Sequence, residues 1–146
     1  MPIECELAVH IANEREKVWR LLENPAAWKT YWPDCVDAIS KDRKLLREGS
    51  ELELVVQPGG RNYTFHPEVD LVVPGKTLSL THRGPFLQWT VAWYLDDVET
   101  GARVKVQGAF AGVGGFLMRL LRRDDSVRFS LHGHLRGLKK LAERML

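Results

Sequence analysis

FLQWTVAWYLDD (86–97) alternates without a break: Leu87, Trp89, Val91, Trp93 and Leu95 occupy every second position. Successive side chains of a strand point to opposite faces, so these five share one face. That face is wholly apolar, which predicts a strand buried on one side. Working forward, Glu99-Thr100-Gly101 reads as a hairpin turn, and Val104, Val106, Gly108 and Phe110 then alternate with Arg103, Lys105 and Gln107. Working back, Gly84-Pro85 is a turn, and Leu78, Leu80 and His82 alternate with Thr77, Ser79, Thr81 and Arg83. Beyond the Pro74-Gly75 turn, the run 61–73 puts Tyr63, Phe65, Val69, Leu71 and Val73 on one side. Pro67 falls inside this run and predicts an edge position or a bulge. GSELELVV (49–56), before the Pro58-Gly59-Gly60 turn, is a further strand, and 36–42 is a weaker one. Short strands joined by short turns predict an antiparallel meander with one wet and one covered face.

The cover must come from the flanks. IECELAVHI (3–11) is a first strand, with Ile3, Cys5, Leu7, Val9 and Ile11 on its apolar face. Asn13 is then placed as a helix N-cap, with Glu14 and Glu16 favoured by the positive end of the helix. Val18, Leu21 and Leu22 follow at helical spacing until Asn24-Pro25, and a second short helix runs to about Trp32, ended by Pro33. At the other end Phe116, Leu117, Leu120 and Leu121, then Val127, Leu131, Leu135, Leu138, Leu141 and Met145, recur at threes and fours. One helix over 113–145 would be about 50 Å long, more than a domain of this size holds. The spacing therefore predicts a short helix over 115–123 and a main helix over 126–145, broken near Asp124-Asp125-Ser126. Gly133 and Gly137 lower the propensity of the main helix but allow close approach to the sheet. The fold class is α+β: strand, two short helices, about six further strands and a long C-terminal helix, in one domain over 1–146.

The chain has 146 residues, 45% hydrophobic and 27% charged, which suits a globular domain and excludes collagen-like, coiled-coil and disordered classes. No apolar run nears the roughly 18 residues of a membrane span, so no stable membrane insertion is expected. The N-terminal stretch lacks the apolar core of a secretory signal, and the two cysteines, Cys5 and Cys35, form no CxxC. Reduced thiols and a cytoplasmic location are the expectation. Val113–Leu146 carries eight Lys/Arg against three acids, whereas the rest of the chain is net negative. A basic segment can face nucleic acid, lipid or protein, but it is also the ordinary solvated face of an amphipathic helix. Nucleic-acid binding is not expected, because the aromatic residues lie on the covered face, away from the basic ones.

REKVWRLLENPAAWKTYWPD (15–34) has a Val-Trp in the first helix, an Asn-Pro break, a Trp in the second helix and another Trp before a Pro; LRGLKKLAERML (135–146) is a leucine-rich ending. With the element order, these stretches resemble the START-like helix-grip superfamily, specifically its polyketide cyclase/dehydrase and lipid-transport-like (SRPBCC) branch. The resemblance implies a curved antiparallel sheet of about six to seven strands gripping the long helix around an apolar cavity. Members of that superfamily bind lipids, sterols, polyketides or plant hormones there, and some catalyse cyclisation. Its motifs are packing motifs and say little about chemistry.

The residues themselves point to the same interior. Tyr63, Phe65, Trp89, Trp93 and Phe110 share the covered face and either fill a core or wall a pocket for an apolar ligand. Trp32 is a candidate for the pocket mouth or for helix–sheet packing, and Trp19 and Trp28 read as packing residues. His82, on the face of Leu78 and Leu80, is the one weak catalytic candidate, since a buried imidazole can serve as acid or base. Phe116, in the glycine-rich link 112–118, is a lid or connector residue. His132 and His134 lie about 200° apart on a helix and cannot share a metal ion; no other spacing suggests a metal or cofactor, and none is expected. Cys5 is expected to be an inert core thiol, and Glu68 and Asp70 to be solvated. The expected function is binding or transport of a hydrophobic small molecule (lipid, polyketide or aromatic compound) by a monomer or homodimer. The competing readings are a cyclase/aromatase-type enzyme and a protein-interaction module using the basic helix.

Overall fold

The computed structural model describes residues 3–57, 61–85, 87–111 and 124–145. Strand β1 (Ile3–Ile11) leads into α1 (Arg15–Glu23), a 3-10 turn (Pro25–Ala27) and α2 (Trp28–Tyr31). Strands β2 (Cys35–Ser40), β3 (Leu52–Val56), β4 (Tyr63–Phe65), β5 (Glu68–Val73), β6 (Thr77–Arg83), β7 (Gln88–Val98) and β8 (Gly101–Ala111) follow, and α3 (Asp124–Arg144) closes the chain. All the strand pairs are antiparallel. They form a five-stranded sheet, β1-β8-β7-β6-β5, and a three-stranded sheet, β2-β3-β4.

The run 61–73 departs from the expected single strand. It is not one strand but two, in different sheets: Pro67 cannot donate a ladder hydrogen bond, and the chain changes sheet there. The Pro67 carbonyl accepts from the Leu52 N–H at 2.9 Å, so the crossing stays tied to β3. A register shift between Val69 and Leu71 then reverses the parity of β5. Val69 is buried, but Leu71 and Val73 point outward, 42% and 40% exposed, against expectation. In place of one curved sheet of six to seven strands, the described residues form eight strands in two sheets.

The inward face of the large sheet is layered by register. His82, Trp89 and Phe110 are neighbours across β6, β7 and β8. The next layer is Leu80, Val91, Gly108 and Cys5, and the third is Leu78, Trp93, Val106 and Leu7. Helix α3 faces them with Leu131, Leu135, Leu138 and Ala142, all buried. Expected helix positions 115–123, with Phe116, lie outside the described residues; α3 is described from Asp124 onward, and the expected break near Asp124-Asp125-Ser126 adjoins the residues left out.

Asn13 is not the cap of α1. Glu14 holds that position without a side-chain cap, and the Asn13 amide instead donates to the Ala142 carbonyl at 2.7 Å. The Ala12 N–H donates to Glu143 Oε2 at 2.8 Å. Asn13 therefore ties the start of α1 to the last turn of α3, on a carbonyl that also accepts from the Met145 N–H at 3.1 Å. Gly137 also differs from expectation. A Cβ there would collide with the backbone carbonyl of Tyr31, so the glycine admits α2, not the sheet.

Candidate ligand-binding site

Two aromatic clusters stand on the inward side of β7. The first gathers where β4, β6 and β7 meet. Phe65 is edge-on to Trp89 at 5.4 Å and to His82 at 5.0 Å, between ring centroids. His82 lies nearly parallel to Trp89 at 5.7 Å, and Tyr63 stacks on Phe65 at 6.3 Å. Register explains the gathering: Tyr63 and Phe65 oppose Val56 and Leu54, whose side chains are buried. Phe110 is buried beside Trp89.

The second cluster is about 13 Å further along β7, four residues from Trp89 to Trp93. His134 of α3 is its centre. Around its ring stand Trp32 at 4.9 Å, Tyr31 at 5.2 Å, Trp93 at 5.4 Å and Trp28 at 6.4 Å. Leu131, Leu135 and Leu138 place His134 on the buried face of α3 at helical spacing, and it is 1% exposed. Trp32 is interior, its indole donating to the Ser130 carbonyl at 3.0 Å. Trp28, a packing residue as expected, donates to the Leu22 carbonyl at 2.9 Å. Between the clusters Gly108 carries no side chain, and Leu131 approaches it from α3.

The electrostatics separate the two histidines. Burial drives the His134 pKa down to about 3, so its imidazole is neutral at any physiological pH. His82 is half-buried, and burial, with the His66 charge beside it, holds its pKa below the usual value. The His66 N–H donates to His82 Nδ1 at 3.2 Å, so the neutral ring carries its proton on Nε2. In that arrangement His82 offers a hydrogen-bond donor and not the free lone pair a general base needs. The thiols are poor nucleophiles. Burial and the Asp37 charge push Cys35 up to about 12. Burial raises half-buried Cys5, and the Arg128 guanidinium opposes the rise.

Among the described residues, five polar atoms of this interior are buried with no hydrogen-bond partner: Trp89 Nε1, Trp93 Nε1, Tyr31 Oη and both ring nitrogens of His134. Tyr31 and His134 were not singled out as site residues from the sequence. For His134 the usable signal is its spacing from Leu131 and Leu138, which places it on the apolar face of the helix and away from His132. Among the described residues, no cluster of His, Cys, Asp and Glu could hold a metal ion. Asp70 is exposed, as expected, and accepts from Thr81 Oγ1 at 2.6 Å.

On the outer face of α3, His132, Arg136, Lys140 and Arg144 form a row at spacings of four, all exposed. Among the described residues, none of the four has an ion pair. The row borders a groove of 390 Å³ between α3 and the α2–β2 connection, at whose end Phe129 is 74% exposed.

An antiparallel sheet closed over by a long C-terminal helix, with aromatic rings on the enclosed faces, defines a helix-grip protein of the ligand-binding kind. The chain belongs to the polyketide cyclase/dehydrase and lipid transport family, whose model matches residues 2–145. Among solved structures, the Zhui aromatase/cyclase from a Streptomyces species superposes with a TM-score of 0.80 at 16% identity, covering 99% of this chain and 95% of that one. A protein from Nitrosomonas europaea gives 0.75 at 20% identity, over 98% and 96%. The di-domain ARO/CYC StfQ from the steffimycin biosynthetic pathway gives 0.78 at 16% identity, over 99% of this chain and 52% of that one. At such identities the likeness is one of fold. No curated protein matches the sequence. No described helix is long and apolar enough to cross a membrane.

Proposed function

We propose that the chain acts as one domain that binds or carries an aromatic or otherwise apolar small molecule between the large sheet and α3. Trp32, Tyr63, Phe65, His82, Trp89, Trp93 and Phe110 contribute to the site; Phe116, the remaining candidate, lies outside the described residues. One observation carries the reading: Trp89 and Trp93 present unpartnered indole N–H groups among aromatic rings on the enclosed face. Buried donors are nearly always paired, so such a surface is complementary to an apolar guest with acceptor atoms. Family membership supports a hydrophobic ligand, and two unpaired thiols support a reducing, cytoplasmic setting.

Native mass spectrometry of protein purified from its own host, followed by solvent extraction, tests the reading. A copurifying apolar compound is expected. Protein that carries nothing, and binds no aromatic probe at micromolar concentration, contradicts it.

The cyclase reading has less behind it, because His82 Nδ1 is already occupied by the His66 N–H. As a cyclase the protein would use His82 as a donor, and His82→Ala would abolish turnover. The unpaired row on α3 favours a second reading, contact with an acidic protein segment along the groove. Reversal at Arg136 and Lys140 (to Glu) should then abolish partner capture. Capture that survives the reversal counts against it.

A further inference from the structure

We infer that His134, Tyr31 and Trp93 form an inner polar subsite that takes an uncharged oxygen, a phenol hydroxyl or a ketone, carried on an aromatic ligand. The inference rests on the ligand-binding reading above and narrows it to a ligand class.

The inner cluster contains three tryptophans, and the fold treats them differently. Trp28 and Trp32 spend their indole N–H groups on backbone carbonyls, at 2.9 and 3.0 Å. Trp93, 1% exposed in the same cluster, has no partner. Neither has Tyr31 Oη, nor either nitrogen of His134, whose ring lies 5.2 Å from Tyr31 and 5.4 Å from Trp93. Four polar atoms left open within one cluster are far more than a packed core tolerates, since each forfeits its bond to water. Packing alone would favour the arrangement already used for Trp28 and Trp32.

The donor and acceptor inventory sets the guest. An indole N–H only donates; a neutral imidazole donates once and accepts once; a phenol does either. A ketone can accept from these donors, and a hydroxyl can also give its proton to the imidazole. A carboxylate does not suit the subsite. Among the described residues, no ion pair and no cation–ring contact reaches these side chains, so an anion would be buried without a counter-charge. Burial also keeps His134 uncharged, so it supplies no positive charge either.

Three probes of one shape test this: naphthalene, 1-naphthol and 1-naphthoate, titrated into the full chain by calorimetry. 1-Naphthol should bind about tenfold tighter than naphthalene, the effect of one or two neutral hydrogen bonds. 1-Naphthoate should bind more weakly than 1-naphthol. In His134→Phe the naphthol-to-naphthalene ratio should fall toward one. Tyr31→Phe removes a single oxygen, adds no bulk and should lower the ratio in part. Trp19→Phe, at an indole that bonds Glu23 at 3.1 Å, should keep the wild-type ratio. Equal binding of naphthol and naphthalene overturns the inference and leaves the open atoms to water. So does a preference that survives both substitutions at the subsite, or naphthoate as the tightest probe. If none of the three binds, the ligand-binding reading fails as well, which separates that failure from this one.

Discussion

His134 shows how one side chain can carry a signature readable in bulk. The folded chain holds its imidazole neutral down to about pH 3, because burial disfavours the cation. The unfolded chain takes up the proton at the ordinary histidine pKa, near 6.5. Between those values the unfolded state binds more protons, so stability is full above about pH 6.5 and is lost as pH falls, by up to about 1.4 kcal/mol per unit. Urea denaturation at pH 7 and pH 4.5 checks this. Relative to His134→Phe, the wild type should lose about 2–3 kcal/mol between the two. A pH dependence that is the same in both proteins would contradict the placement of His134. Much of the outer cluster was legible beforehand, because Trp89, Phe110 and His82 follow strict period two. His134 was legible too, from its spacing to three leucines. Tyr31 was not, since a four-residue helix gives no periodicity to read.

At the scale of elements, the contacts of α3 give two predictions. Gly133 and Gly137 look alike in the sequence, but their surroundings differ. A Cβ on Gly133 meets only the Pro33 ring at 3.7 Å, an ordinary contact, whereas on Gly137 it strikes the Tyr31 backbone. Gly133→Ala should therefore gain about 0.5–1 kcal/mol from helix propensity. Gly137→Ala should lose about 1–3 kcal/mol through overpacking, despite the same propensity gain. Thermal melts of the pair should move in opposite directions. Asn13→Ala removes the 2.7 Å bond to the Ala142 carbonyl, which keeps the Met145 N–H as a donor, and should cost about 0.5–1.5 kcal/mol. Hydrogen exchange should then rise first in the last turn of α3. These contacts are hidden in the sequence because they join residues a hundred or more positions apart. The split of 61–73 was only half visible: Pro67 marked an irregularity, but the parity reversal in β5 depends on a bulge that no residue type announces.

For the whole molecule, the α+β class, the antiparallel strands and the covered faces of β6, β7 and β8 follow from periodicity, whereas the faces of β5 do not. Nor does the division into two sheets, because strand partners are set by the three-dimensional path and not by local pattern. The central claim concerns what lies between the large sheet and α3. Nitrogen–proton correlation spectra resolve the five indole N–H groups, and a titration with 1-naphthol reads them one by one. Trp89 and Trp93, whose N–H groups have no partner, should shift strongly, while Trp19, bonded to Glu23, should stay in place. A spectrum in which Trp89 and Trp93 stay fixed while surface amides along the α3 groove move would place the ligand outside and contradict the account.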